Sequence, residues 1–174
     1  MDLLELAKAH IAAENTHDLE LTMSTISERG ADYRIYATGE AFSSREDIRK
    51  FYHETFVAFP DMRVEINNLM QDMARRQVLL EYRFVATFQQ PIWGLAPTHR
   101  QFFYNGAIVY EFDETGKLTR EINYFDKTEL LASMGVIRNP NTLLGKILLI
   151  LPQNPFYFIK SVVLNLFGKG GAVP

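Results

Sequence analysis

The feature that most constrains this chain is that its two hydrophobic periodicities stay apart. Up to Pro60 apolar residues recur mostly at helical spacing, whereas from Met62 to Phe125 they alternate or run in short stretches between turn residues. Helical spacing first and strand spacing afterwards predicts an α+β domain, because a βαβ chain would interleave the two. Leu3, Leu4, Leu6, Ala7, His10, Ile11 and Glu14 mark an amphipathic helix over 3–15, which Thr16-His17-Asp18 breaks. Leu19–Ser27 reads as a second helix and Tyr33–Tyr36 as a short strand before the turn at Thr38-Gly39-Glu40. Ser43 or Ser44 caps a third helix with Ile48, Phe51, Tyr52, Phe56 and Val57 on its apolar face.

Strands are expected over Met62–Leu69, Gln77–Phe88, Gln101–Phe112 and Lys117–Phe125, the last two joined by the hairpin turn Asp113-Glu114-Thr115-Gly116. Asp126 then caps a helix that ends at Gly135, with Glu129 placed to reach back in a capping box. Such a sheet, strongly curved, would wrap the third helix and leave a cavity. Aromatic residues make up 13% of the chain, which suits either a core or a cavity for a flat apolar ligand.

Composition removes whole classes of function. Net charge is −3 with acids and bases interspersed, so no basic stripe exists for a phosphate backbone and nucleic acid is not an expected partner. Cysteine is absent, which excludes thiolate catalysis and cysteine-ligated zinc and fits a cytoplasmic location. The four histidines, His10, His17, His53 and His99, form no His-x-x-x-His pair, so no metal and no other cofactor is expected.

Several stretches, taken in order, resemble the SnoaL-like polyketide cyclase family of the NTF2-like superfamily. They are Ala12–Leu19, Ser44-Arg45-Glu46-Asp47-Ile48, Ala58-Phe59-Pro60-Asp61-Met62-Arg63-Val64, Gly94-Leu95-Ala96-Pro97-Thr98, Asn105-Gly106, Gly116-Lys117-Leu118, and Tyr124-Phe125-Asp126 through Met134-Gly135. The resemblance covers roughly residues 5–137 and implies a helix-lined cone with a curved, mostly antiparallel sheet around an internal pocket. It also implies a homodimer and an apolar small-molecule ligand. Two departures stand out: Phe88 replaces a histidine common at the end of the family's central strand, and His99 follows Pro97-Thr98 where glycine is usual. The related ketosteroid isomerases use a tyrosine and an aspartate where this chain has His10 and Ile35 or Tyr36, so that constellation is missing.

The resemblance implies Asp126 as general acid/base of an intramolecular aldol closure, although helix capping alone also accounts for an aspartate there. His99, in the loop expected at the pocket mouth, is the second catalytic candidate. If residues 112 and 117 pair, Tyr124 and Asp126 share a sheet face with Asn105, which could hold a substrate carbonyl. Trp93 lies in the loop expected to roof the cone, and Tyr36 and Phe56 are further wall candidates. His10 faces either the cavity or the core.

A domain of residues 1–138 would carry all of this, followed by an apolar helical extension over 139–174. Too short to span a bilayer in one helix, the extension is expected to pack on the domain or on a partner subunit, with an interfacial membrane contact the less favoured reading. Three functions stay open: a cofactor-free cyclase or isomerase acting on an apolar carbonyl compound, a non-catalytic hydrophobic-ligand carrier, and an interaction domain with a vestigial pocket.

Overall fold

The computed structural model describes residues 2–139, 141–150 and 159. The chain divides into a unit of residues 1–136 and a second beginning at Ile137. The first unit opens with α1 (Leu3–Asn15), α2 (Leu19–Ser24), β1 (Asp32–Ile35), β2 (Glu40–Phe42) and α3 (Arg45–Ala58). It continues with β3 (Arg63–Asp72), β4 (Gln77–Thr87), β5 (Gln101–Phe112), β6 (Leu118–Phe125) and α4 (Lys127–Ser133). Of the second unit, the one described helix is α5 (Leu143–Ile150), with Leu143 and Leu144 exposed. Apart from Ile159, which is exposed, the extension beyond Ile150 lies outside the described residues. No helix among the described residues is long and apolar enough to cross a membrane.

Six strands form one mixed sheet in the order β2-β1-β6-β5-β4-β3. Its one parallel pair is β1 with β6; the other neighbours run antiparallel. The expected α+β architecture is therefore present. Strand β2 was not expected: its three residues are too few to print an alternating pattern, and only its pairing with β1 around Thr38-Gly39 defines it.

Each of the first four helices starts where a side chain can satisfy a free N–H. Asp2, Asp18, Ser44 and Asp126 each accept from a backbone amide two or three residues on. Alternation then fixes the sheet. On β4 the buried residues are Val78, Leu80, Tyr82, Phe84 and Ala86, and on β5 they include Phe102, Tyr104, Ile108 and Tyr110. These inward faces meet Leu3, Ala7, Ile11, Ile48, Tyr52 and Phe56 from α1 and α3 in one core.

Two polar ties set the helices on the sheet. Asn15 at the end of α1 donates Nδ2 to Val64 O at 2.9 Å and accepts from Val64 N at 2.7 Å, so its amide imitates a neighbouring strand on β3. Arg45 donates to the carbonyls of Met23, Ile26 and Ser27, tying the start of α3 to the turn that follows α2. The face of α1 that carries His10 and Glu14 is thereby held over the middle of the sheet.

Candidate functional site

A cavity between α1, α3 and the concave sheet face has about 70 Å³ in which the centre of a water molecule can sit. Most of its wall is aromatic: Phe51, Phe59, Phe84, Phe102, Tyr104 and Phe125 among others. The polar groups collect on one side. Glu14 comes from α1, Tyr52 from α3, Tyr33 from β1, and Glu121 and Asn123 from β6. Trp93 stands at the opposite extreme of exposure, 41% accessible, against 1% for Glu121.

Strand register assembles the polar side. Glu121 lies between Tyr33 of β1 and Tyr110 of β5, and Asn123 lies between Ile35 and Ile108 on the next inward rung. Above Glu121 sits His10, fully buried, its Nε2 3.5 Å from Glu121 Oε2 and 3.3 Å from Glu14 Oε1. Tyr52 donates its hydroxyl to Glu14 Oε1 at 2.7 Å. On the other edge of the ring, His10 Nδ1 is 2.6 Å from Thr25 Oγ1, whose own proton goes to Thr22 O. A hydroxyl has one proton to give, so Nδ1 is the donor in that bond. Nε2 is left facing the two carboxylates and the Tyr52 hydroxyl, 3.3 Å away.

Burial presses the His10 imidazole toward its neutral form, but the nearby Glu14 and Glu121 carboxylates outweigh it and raise its pKa to about 10. Burial likewise raises the Glu121 carboxyl, with His10 pulling the other way. Glu121 Oε2 has no hydrogen-bond partner among the described residues. Next along β6, Asn123 accepts at Oδ1 from the Tyr82 hydroxyl at 2.8 Å, and its Nδ2 donates to no described residue. Tyr82 reaches it because its cross-strand partner is Gly106: a Cβ there would lie 2.5 Å from the Tyr82 hydroxyl oxygen.

The residues singled out from sequence scatter around this site. Trp93 does line the cavity, at the tip of a two-residue turn closed by Leu95 N to Ile92 O at 2.9 Å. Its φ of 53° and that of Gly94 at 72° give the paired left-handed residues of a type I′ turn, a costly conformation for so large a side chain. His10 is buried beside the cavity within the polar cluster, and Phe56 is packed between Tyr52 and His17 in the core. His99 is exposed in its loop with φ 55°.

Asn105, Tyr124 and Tyr36 occupy the other face of the sheet. Ala107, not Asn105, pairs with Tyr124, and the shared face of Asn105 and Tyr124 points away from the cavity. Tyr124 stacks on Tyr36 there, ring centroids 5.1 Å apart, both substantially exposed. The reason lies in the alternation of β5, where Phe102, Tyr104 and Ile108 point inward and Asn105 outward, so that on β6 Glu121, Asn123 and Phe125 face the cavity and Tyr124, opposite Ala107, does not.

Asp126 is exposed and caps α4, accepting from Thr128 N at 2.7 Å and Glu129 N at 3.2 Å. It is not among the residues that line the cavity. Asp126→Ala should therefore cost about 1 kcal/mol in a denaturant melt, while Asp126→Asn should leave both stability and ligand binding close to those of the parent. Loss of ligand binding in the Asn variant at unchanged stability would return Asp126 to the site.

A family model described as SnoaL-like polyketide cyclase matches residues 4–134. Among solved structures, AclR, a proposed hydroxylase from Streptomyces galilaeus, is 22% identical with a TM-score of 0.69, covering 83% of this chain and 91% of its own. IdmH, a proposed polyketide cyclase from Streptomyces antibioticus, is 20% identical with a TM-score of 0.65, covering 78% and 99%. A protein of ketosteroid isomerase-like fold from Catenulispora acidiphila is 20% identical with a TM-score of 0.63, covering 75% and 92%. At such identities the likeness is one of fold. No curated protein sequence matches significantly.

Proposed function

The chain belongs to the SnoaL-like polyketide cyclase family, and on that footing we propose that it binds an apolar, enolisable carbonyl compound in its cavity and moves a proton on it, with Glu121 as the acid–base group. The observation that carries this reading is the pairing of Glu121 and Asn123 on the inward face of one strand. Among the described residues, Glu121 offers a buried carboxylate oxygen without a hydrogen-bond partner, and Asn123 offers an amide N–H that donates to none. Residues two apart on a strand stand about 7 Å from each other, a span that admits an H–C–C=O unit between them.

The chemistry then balances without an oxidant or reductant. Glu121 takes the α-proton, the C–H electron pair moves into the carbonyl, and the resulting enolate oxygen is held by Asn123 Nδ2. Tyr82, donating to Oδ1, fixes which way that amide points. In a cyclisation the enolate carbon attacks a second carbonyl of the same molecule, and the new alkoxide recovers the proton from Glu121. The aromatic wall supplies burial for an apolar substrate and keeps water from the enolate. Trp93 is a substrate contact at the accessible end, and a homodimer remains the assembly that family membership suggests.

The test is deuterium exchange at the α-position of a small 1,3-diketone in D₂O, followed by NMR. Asn123→Leu should slow exchange by roughly 10²-fold while leaving binding of the diketone measurable, since one oxyanion donor contributes on that order. Saturable binding by the parent with no exchange above buffer would instead mark the chain as a carrier.

A further inference from the structure

The cluster of His10, Glu14 and Glu121 holds its three ligand-type atoms at spacings longer than those of charge-assisted hydrogen bonds. A charge-assisted hydrogen bond from an imidazolium to a carboxylate spans about 2.7–2.9 Å. His10 Nε2 instead stands off both carboxylates, at 3.3 Å and 3.5 Å, with the Tyr52 hydroxyl also 3.3 Å away, and Glu121 Oε2 has no hydrogen bond to any described residue although 1% exposed. Tetrahedral zinc bonds to nitrogen and oxygen run to about 2.0–2.1 Å, which separates neighbouring ligand atoms by about 3.3–3.4 Å. The two separations, 3.3 Å and 3.5 Å, lie within about 0.2 Å of that edge length. The three ligand atoms all lie within 4.8 Å of one another.

We propose that His10 Nε2, Glu14 and Glu121 form a binding site for a divalent transition-metal ion of zinc's size, with its remaining coordination position turned into the cavity. Three features beyond the spacing support it. Thr25 accepts the Nδ1 proton and so fixes the tautomer that presents Nε2, the outer-sphere arrangement usual for a metal-bound histidine. Tyr52 steadies Glu14 in the same way through its hydroxyl. Two buried carboxylates with a neutral imidazole carry two negative charges, which a divalent cation neutralises and a single proton does not. Glu14 and Glu121 also form part of the cavity wall while His10 lies behind them, so an ion among the three would meet solvent or ligand from the cavity side.

A bound ion would hold the Glu121 carboxylate in its own coordination shell. Metal occupancy and proton transfer by Glu121 are thus alternatives, and this last consequence rests on the function proposed above; the site itself does not.

The experiment uses the full chain, stripped with chelator and titrated with Zn²⁺ by calorimetry and with Co²⁺ by visible absorption. One Zn²⁺ per chain and the intense d–d bands of tetrahedral Co²⁺ are expected. Glu14→Gln should weaken binding at least 10-fold, and so should Thr25→Val, which spares every ligand and guards against a misfolded ligand variant. His53→Gln and His99→Gln, both at exposed positions, should bind as the parent does. Absence of a saturable Co²⁺ spectrum, or a spectrum unchanged in both Glu14→Gln and Thr25→Val, would overturn the site. With Zn²⁺ bound, diketone exchange should fall in step with occupancy. Exchange that persists at saturation would count against Glu121 as the base and leave the metal site standing.

Discussion

Glu121→Gln should slow α-proton exchange by 10²-fold to 10⁴-fold while leaving the fold intact. The amide keeps the volume and shape of the carboxyl, so neither the rung with Tyr33 and Tyr110 nor the packing beneath α1 has cause to move. What it removes is the only property the mechanism asks of this position, the capacity to accept a proton and return it. His10 keeps Glu14 as its counter-charge in the variant, so the melting temperature should change little. Turnover and melting are measured side by side. Exchange within a few-fold of the parent would remove Glu121 from the chemistry, and parallel loss of both would make its role structural.

His10→Leu should show the largest loss of stability, about 3–5 kcal/mol near pH 8, because it leaves Glu14 and Glu121 buried without their cation. On a chain of this size that lowers the melting temperature by on the order of 10 °C. The loss should shrink as the solution is acidified. Burial already raises the Glu121 pKa, and without His10 pulling against it the rise is larger. A carboxyl whose pKa is higher in the folded state than in the unfolded state favours folding by binding a proton, and that contribution fades as pH climbs through the folded value. Melting curves at pH 5 and pH 8 should accordingly converge on the parent at the lower pH. A deficit independent of pH would trace the loss to packing alone.

Most of the scaffold was legible because it rests on local rules. Helices begin at Asp2, Asp18, Ser44 and Asp126, where capping side chains stand in the sequence, and the long strands carry the alternation that a half-buried sheet imposes. The site was legible only in part. The i, i+4 spacing of His10 and Glu14 on one helix was present and pointed to a shared face. Glu121 and Asn123 were hidden by the pattern of their own strand. In Leu118-Thr119-Arg120-Glu121-Ile122-Asn123-Tyr124-Phe125 the apolar residues Leu118, Ile122 and Tyr124 share one parity, which puts the two polar residues on the solvent side. Pairing with β5 decides otherwise, setting Glu121 opposite Tyr110 and Asn123 opposite Ile108, both inward positions, and no local signal on β6 announces it. Asp126 drew notice for the opposite reason, since a good helix cap and a catalytic aspartate look alike in sequence.

The parallel pairing of β1 with β6 carries a consequence for how the molecule comes together. The antiparallel neighbours β3 to β6 follow one another along the chain and can zip up successively, but the rung that seats Tyr33 beside Glu121 joins opposite ends of the domain. Contacts so distant in sequence close last, after the loop entropy between them has been overcome. The two carboxylates and the histidine therefore leave water only in the final docking of the N-terminal helices and β1 onto a preformed meander. Substitutions in that cluster should accelerate unfolding while scarcely altering the folding rate, so its burden falls on the lifetime of the native state.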